Sequence, residues 1–234
     1  MSPPLARPFP RFISDSAQDS RPYGRWEERL RESFAGACEP LVGDAGTSLD
    51  PESVRFFPER TWGRRTFIPA VGRGAEEVGG VVPEFFGHLS FERAEEGEPG
   101  ELVAEVDFTD VTAAENPDWD VDLNDDVVGS WRADGGRGGD VTLIWGTPLV
   151  RGALAATAEL GEEVLDQAAV NDGRFTLLAV DAVHGFGDEL FLDVKLWDRR
   201  MRVIAAESLY AEEDDGDAME EDNSEAEEEE AQPR

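Results

Sequence analysis

The chain has 234 residues, of which 53 are acidic and 21 basic, giving a formal net charge of −32. That balance excludes non-specific binding to nucleic acid, whose affinity comes from Lys and Arg displacing phosphate counterions, and it sets the chain against anionic membrane surfaces. Hydrophobic residues at 40 % suffice for one sizeable core, so one domain with tails is expected, with basic proteins or cations as the partners its charge favours.

Residues 1–20 hold Pro3, Pro4, Pro8 and Pro10 and read as a flexible Pro-rich arm. No apolar run there is long enough for a signal peptide or a membrane span. From Pro22 to Cys38 the residues Trp26, Leu30, Phe34, Ala37 and Cys38 recur at helical spacing, and the stripe continues to Leu41. This predicts one amphipathic helix, with Glu27 and Arg31 as an i,i+4 pair and Pro40 and Gly43 ending it. Cys38 lies on the apolar stripe and reads as a small buried residue. As the sole cysteine it allows no intrachain disulfide and no Cys-based zinc site, which suits a reducing cytosol and a cytoplasmic location.

After a polar loop over 44–51, Val54–Phe57 and Thr61–Val71 read as strands interrupted by Pro58 and Gly63. The stretch 54–74 holds Arg55, Arg60, Arg64, Arg65 and Arg73 against Glu59 alone, with aromatic residues interleaved. Arg60, Trp62, Arg64 and Arg65 are therefore candidates for an anion-binding surface built on charge and stacking. The alternative is that these arginines pair with surplus carboxylates on neighbouring strands or in the tail.

Phe85–Arg93 and Leu102–Phe108 read as a hairpin. His88 falls among Phe85, Phe86, Leu89 and Phe91 and reads as a histidine at the edge of the core. Residues 110–127 read as acidic and irregular. Within them Asp118, Asp120, Asp122, Asn124 and Asp126 alternate as the oxygen ligands of a calcium loop do, which makes calcium the candidate metal. Counting from Asp120, the Gly and Glu that an EF-hand needs are replaced by Asp125 and Trp131. The following Gly135–Asp140 matches one copy of a calcium nonapeptide that works only as stacked repeats, and its alternative is a plain hairpin loop between strands Val127–Ala133 and Val141–Leu149.

Residues 150–170 fit either a helix or two strands about Gly161, and the surrounding β pattern favours two strands. Gly173–Tyr210 reads as three consecutive antiparallel strands. Phe175–Val183 is apolar on nearly every residue, as in a strand covered on both faces, whereas Leu190, Leu192, Val194 and Leu196 alternate with Phe191, Asp193, Lys195 and Trp197. His184, with Asp181 and Asp188 near it, is the candidate general base should the chain be an enzyme; a solvated turn histidine is the plainer reading. Residues 211–234 form a low-complexity acidic tail, expected to be disordered.

The expected fold is α+β, mainly antiparallel β: a sandwich-like domain over 21–210 with one N-terminal helix packed on it and a disordered acidic C-terminal tail. The chain lacks the P-loop, dinucleotide, GxSxG, HExxH and CxxC signatures. The leading functional expectation is thus a non-catalytic, acidic cytosolic interaction or accessory domain with a protein partner, basic in character. The alternatives are a hot-dog enzyme acting on an acyl thioester, in which 152–169 form the central helix, and a calcium-stabilised β domain.

Overall fold

A computed structural model describes residues 26–92, 100–132, 138–161, 163–182 and 192–209. It confirms a mainly antiparallel β architecture with one N-terminal helix. Helix α1 spans Trp26–Cys38 and buries Leu30, Phe34 and Cys38, one residue per turn of its apolar stripe. The Glu27–Arg31 pair forms at 3.1 Å. Arg31 Nη1 also donates to the carbonyls of Pro51 and Val54 at 2.6 and 3.0 Å, tying the helix to the chain that enters the first sheet. The α1 helix ends at Cys38, ahead of Pro40, as expected from sequence. A 3₁₀ turn over Glu39–Leu41 and the short α2, Val42–Ala45, follow, and the stop comes at Gly46, whose φ of 71° is the left-handed conformation that glycine adopts without strain. Proline is tolerated at position 40 because it falls in the first turn of the 3₁₀ segment, where its missing N–H has no intrahelical partner to lose.

Among the described residues twelve strands follow, in three antiparallel sheets. Sheet one joins β1 (Arg55–Phe56), β3 (Arg65–Arg73), β4 (Glu84–Glu92) and β5 (Val103–Thr109) in that order, with β2 (Arg60–Trp62) also paired to β3. Sheet two has β7 (Gly138–Pro148) between β6 (Val121–Arg132) and β10 (Phe175–Ala182). Sheet three runs β12 (Val203–Leu209), β11 (Leu192–Trp197), β8 (Ala155–Leu160) and β9 (Glu163–Ala169).

Three apolar clusters fix the layers. Leu30 and Phe34 of α1 pack with Ile68, Ala70, Phe85 and Leu89, so the helix covers one face of sheet one. The other face carries Phe67 and Val71, which meet Leu143 and Trp145 of sheet two. The far face of sheet two, with Val121, Ile144, Phe175 and Leu177, closes on Ala156, Ala158, Leu192, Val194 and Leu196 of sheet three. Alternating residues of each strand thus serve alternate layers, as the pleat requires.

Two expectations from sequence are corrected by the structure. The last three strands are not a meander: β10 pairs with β7, and β11 pairs with β12 and β8, so β10 and β11 belong to different sheets. Period-two alternation identifies a strand but carries no information about its neighbour. Residues 155–169 are, as favoured from sequence, the two strands β8 and β9 about Gly161, a hairpin where the hot-dog alternative needs a central helix. The acidic segment thought irregular to residue 127 becomes strand at Val121. The double coverage expected for β10 holds, since Phe175, Leu177 and Ala179 face sheet three while Leu178 packs beside Leu143 and Trp145. Residues 1–20, the acidic tail, His184 and Asp188 lie outside the described residues, and Asp181 is described by its backbone alone.

The outward row of sheet three contains a buried ion pair. Lys195, the only lysine in the sequence, meets Glu159 at 2.6 Å with side chains 12 % and 2 % exposed. Thr157 Oγ1 donates to the same carboxylate at 3.0 Å and accepts from Trp197 Nε1 at 2.8 Å. Removing one partner of such a pair leaves a desolvated charge behind. Lys195→Met is therefore expected to lower unfolding free energy by about 3–5 kcal/mol in chemical denaturation, and Lys195→Arg by much less.

Candidate functional site

The polar seam of the molecule lies where β4 faces β6. Because Val121 and Leu123 point to sheet three, the intervening Asp122, Asn124 and Asp126 point to sheet one. On β4, Phe85 and Leu89 point to the helix, so Glu84, Phe86, His88 and Ser90 point to sheet two. The two polar rows meet step for step. Glu84 lies within electrostatic reach of Asp122, and His88 Nδ1 stands 3.1 Å from Asp126 Oδ2. Each residue of one pair is four positions from its counterpart in the other, about 13 Å along a strand.

At the Glu84–Asp122 end the sheets part to leave a cleft of about 390 Å³. Arg55 of edge strand β1, Arg73 of β3 and Arg174 from the turn before β10 line it, as do Glu77 and Glu115. Arg174 is held by a 2.7 Å bond from Nη1 to the carbonyl of Phe56. Burial, reinforced by the Asp122 carboxylate, pushes the Glu84 carboxyl up from its ordinary 4.5 to about 7, against the opposing pull of Arg55 and Arg73. Asp122 is also raised by burial, and Arg55 holds that rise back. Two carboxyls displaced from their ordinary range and several guanidiniums facing one concave space are the features that mark a binding or reactive site.

At the other end, His88 is 2 % exposed and lies between Phe67, its ring 5.6 Å away, and Asp126. The imidazole, close enough to hydrogen-bond, holds the Asp126 carboxyl below its ordinary range despite partial burial. The ring's orientation gives no directed bond, however, and the buried Nδ1 is without a hydrogen-bond partner. Glu105 sits opposite His88 on β5, the edge strand of sheet one. One ligand atom each from His88, Glu105 and Asp126 falls within 4.8 Å of the others.

The residues singled out from sequence are dispersed. Arg60 turns inward, its Nε 3.4 Å from Asp166 Oδ2 and its Nη2 3.3 Å from the carbonyl of Gln167, so it bridges sheets one and three. Trp62 lies flat on Gly129, where an added Cβ would meet the indole at 2.6 Å. Arg64 and Arg65 are exposed. Of the five alternating acidic or amide residues, Asp118 and Asp120 are exposed ahead of β6, while Asp122, Asn124 and Asp126 share one face of that strand rather than converging from a loop. Cys38 is buried, its thiol pushed up to about 12 by burial, and is inert as a nucleophile. Glu84, Glu105, Arg174 and the role of His88 were not foreseen. The isolated polar positions in otherwise apolar β4 signalled Glu84 and His88; no local pattern marked Glu105 or Arg174.

The Glu84 shift has a defined effect on stability. Folded Glu84 keeps its proton to about pH 7, whereas the unfolded chain releases it near 4.5, so between these values the folded state binds more protons and stability falls as pH rises. The contribution is complete below the unfolded value and gone above the folded one. Glu84→Gln is expected to flatten the pH dependence across this window and to exceed wild type at pH 8 by about 2 kcal/mol, measured by denaturation at a series of pH values.

Comparison of the chain with protein-family models, with curated proteins and with solved structures finds no match.

Proposed function

We propose that the chain is a non-catalytic interaction module of an accessory kind, working in the cytosol, and that it engages a protein partner through the cleft between sheets one and two. The observation that carries this reading is the mixed lining of that cleft: Arg55, Arg73 and Arg174 share it with the Glu84–Asp122 pair. A purely anionic ligand would meet the carboxylates, and a purely cationic one the guanidiniums. A short peptide segment bearing both a basic and an acidic side chain satisfies both sets, the acidic group in the fork of an arginine and the basic group against the carboxyl pair. At about 390 Å³ the cleft is at the small end of ligand pockets and fits a few side chains rather than a large cofactor.

The net charge of −32 adds long-range attraction for a partner that is basic as a whole. No helix among the described residues is long and apolar enough to cross a membrane. The lone, buried Cys38 is in keeping with a reducing compartment.

Fluorescence or NMR titration of the full chain with short peptides tests the reading. A peptide alternating Arg and Glu is expected to bind and to be lost in Arg73→Glu, while poly-Arg and poly-Glu peptides of equal length bind more weakly. A poly-Arg peptide that binds as well, and is indifferent to Arg73→Glu, would assign the attraction to general acidity and end the proposal.

A further inference from the structure

The geometry points to a binding site for a divalent transition-metal ion, of the zinc type, formed by His88, Asp126 and Glu105 where the edge of sheet one meets sheet two. This goes beyond the peptide cleft and does not depend on what occupies it.

Three observations converge. The residue types are those that bind such ions: an imidazole nitrogen and two carboxylate oxygens. They come from three strands, β4, β5 and β6, so the trio is assembled by the fold rather than by local crowding of acids along one segment. The strongest point is His88 itself. Its Nδ1 is buried, has no hydrogen-bond partner and lies 3.1 Å from a carboxylate oxygen without making a directed bond to it. That separation is close to the roughly 3.3 Å expected between two ligand atoms on a tetrahedral zinc with bonds of about 2.0 Å.

The third arm is adjustable. Glu105 is exposed on the outermost strand of sheet one, and its flexible side chain has only to contract a gap of at most 4.8 Å. The same exposure gives an ion its way in and leaves a coordination position for water, as in zinc sites with three protein ligands. The β5 backbone is less free. A Cβ at Gly87 would lie 2.1 Å from the Glu105 carbonyl oxygen, so glycine there is what lets β5 run this close beside His88. Calcium, the ion favoured by the alternating acids, prefers six to eight oxygens, and one nitrogen with two carboxylates does not supply them.

The test is calorimetric titration of the metal-stripped full chain with zinc chloride, paired with NMR of the imidazole ring protons, of which the two histidines give few enough to follow. One tight equivalent is expected above weak binding to surface carboxylates, and one imidazole set shifts at that equivalent. Glu105→Gln and Asp126→Asn, which preserve shape, should each weaken the tight equivalent roughly tenfold or more, while Asp118→Asn with Asp120→Asn leaves it unchanged. Absence of a tight equivalent, no shifted imidazole signal, or binding unaltered in both Glu105→Gln and Asp126→Asn overturns the site and leaves an imidazole–carboxylate contact alone.

Discussion

Strand β6 has two faces of opposite chemistry, and the arrangement of the layers follows from it. Val121 and Leu123 seal against sheet three, while Asp122, Asn124 and Asp126 are turned to sheet one. A carboxylate taken out of water without a partner costs several kcal/mol. Sheets one and two therefore close on each other around Trp145 but not along this polar row. Asp126 is met by His88, Asp122 shares its surroundings with a Glu84 that retains its proton to about pH 7, and beyond them the sheets stay apart. The cleft is in this sense a consequence of packing: it opens where the carboxylates outnumber the groups able to neutralise them. Clusters on either side of this seam, around Phe34 and around Leu192, are apolar and closed.

Arginine has a second use in this strongly acidic chain. Arg31, Arg60 and Arg174 each donate to a main-chain carbonyl more than 19 residues away, at Pro51, Gln167 and Phe56 respectively. A planar guanidinium with five donors bonds a carbonyl while leaving other N–H groups for a carboxylate, which a lysine ammonium does less well. Arg60 shows both at once, with Asp166 and Gln167 as partners. Asp166 in turn accepts from the Leu178 amide at 2.7 Å, which satisfies one outward N–H of β10 at the edge of sheet two. The arginine-rich stretch thus divides: Arg60 is consumed by the fold, and Arg55 and Arg73 remain at the cleft.

What could be read from sequence was whatever is written in local periodicity. The helix stripe of Leu30, Phe34 and Cys38 and the apolar face of Leu192, Val194 and Leu196 were legible, because each pattern repeats within one element. Pairing was not, since β8 and β11 find each other across more than 30 residues with no local mark of it. The acidic alternation of β6 is visible but ambiguous. Carboxylates at every second position suggest ion ligands in a loop, while the equally regular Val121 and Leu123 between them mark a strand. His88 and Asp126 lie 38 positions apart, so nothing near either residue announces the other.

The dimensions of the seam are set by close approaches at two glycines, and this argues that its polar groups are held in place. At Gly87 the obstacle to a side chain is main chain, the Glu105 carbonyl and the Val106 Cα at 2.1 and 2.8 Å, and main chain in a paired strand does not move aside as the end of a side chain does. At Gly129 the obstacle is the Trp62 ring, and the register of β6 against β7 shifts at that point, so the part of β6 beyond Asp126 is re-aimed where the indole lies on it. Between these two fixed approaches the His88–Asp126 contact has little freedom to lengthen. A polar pair held that way keeps its geometry whether or not anything is bound to it, and such preorganisation is what separates a binding site from a chance meeting of charges.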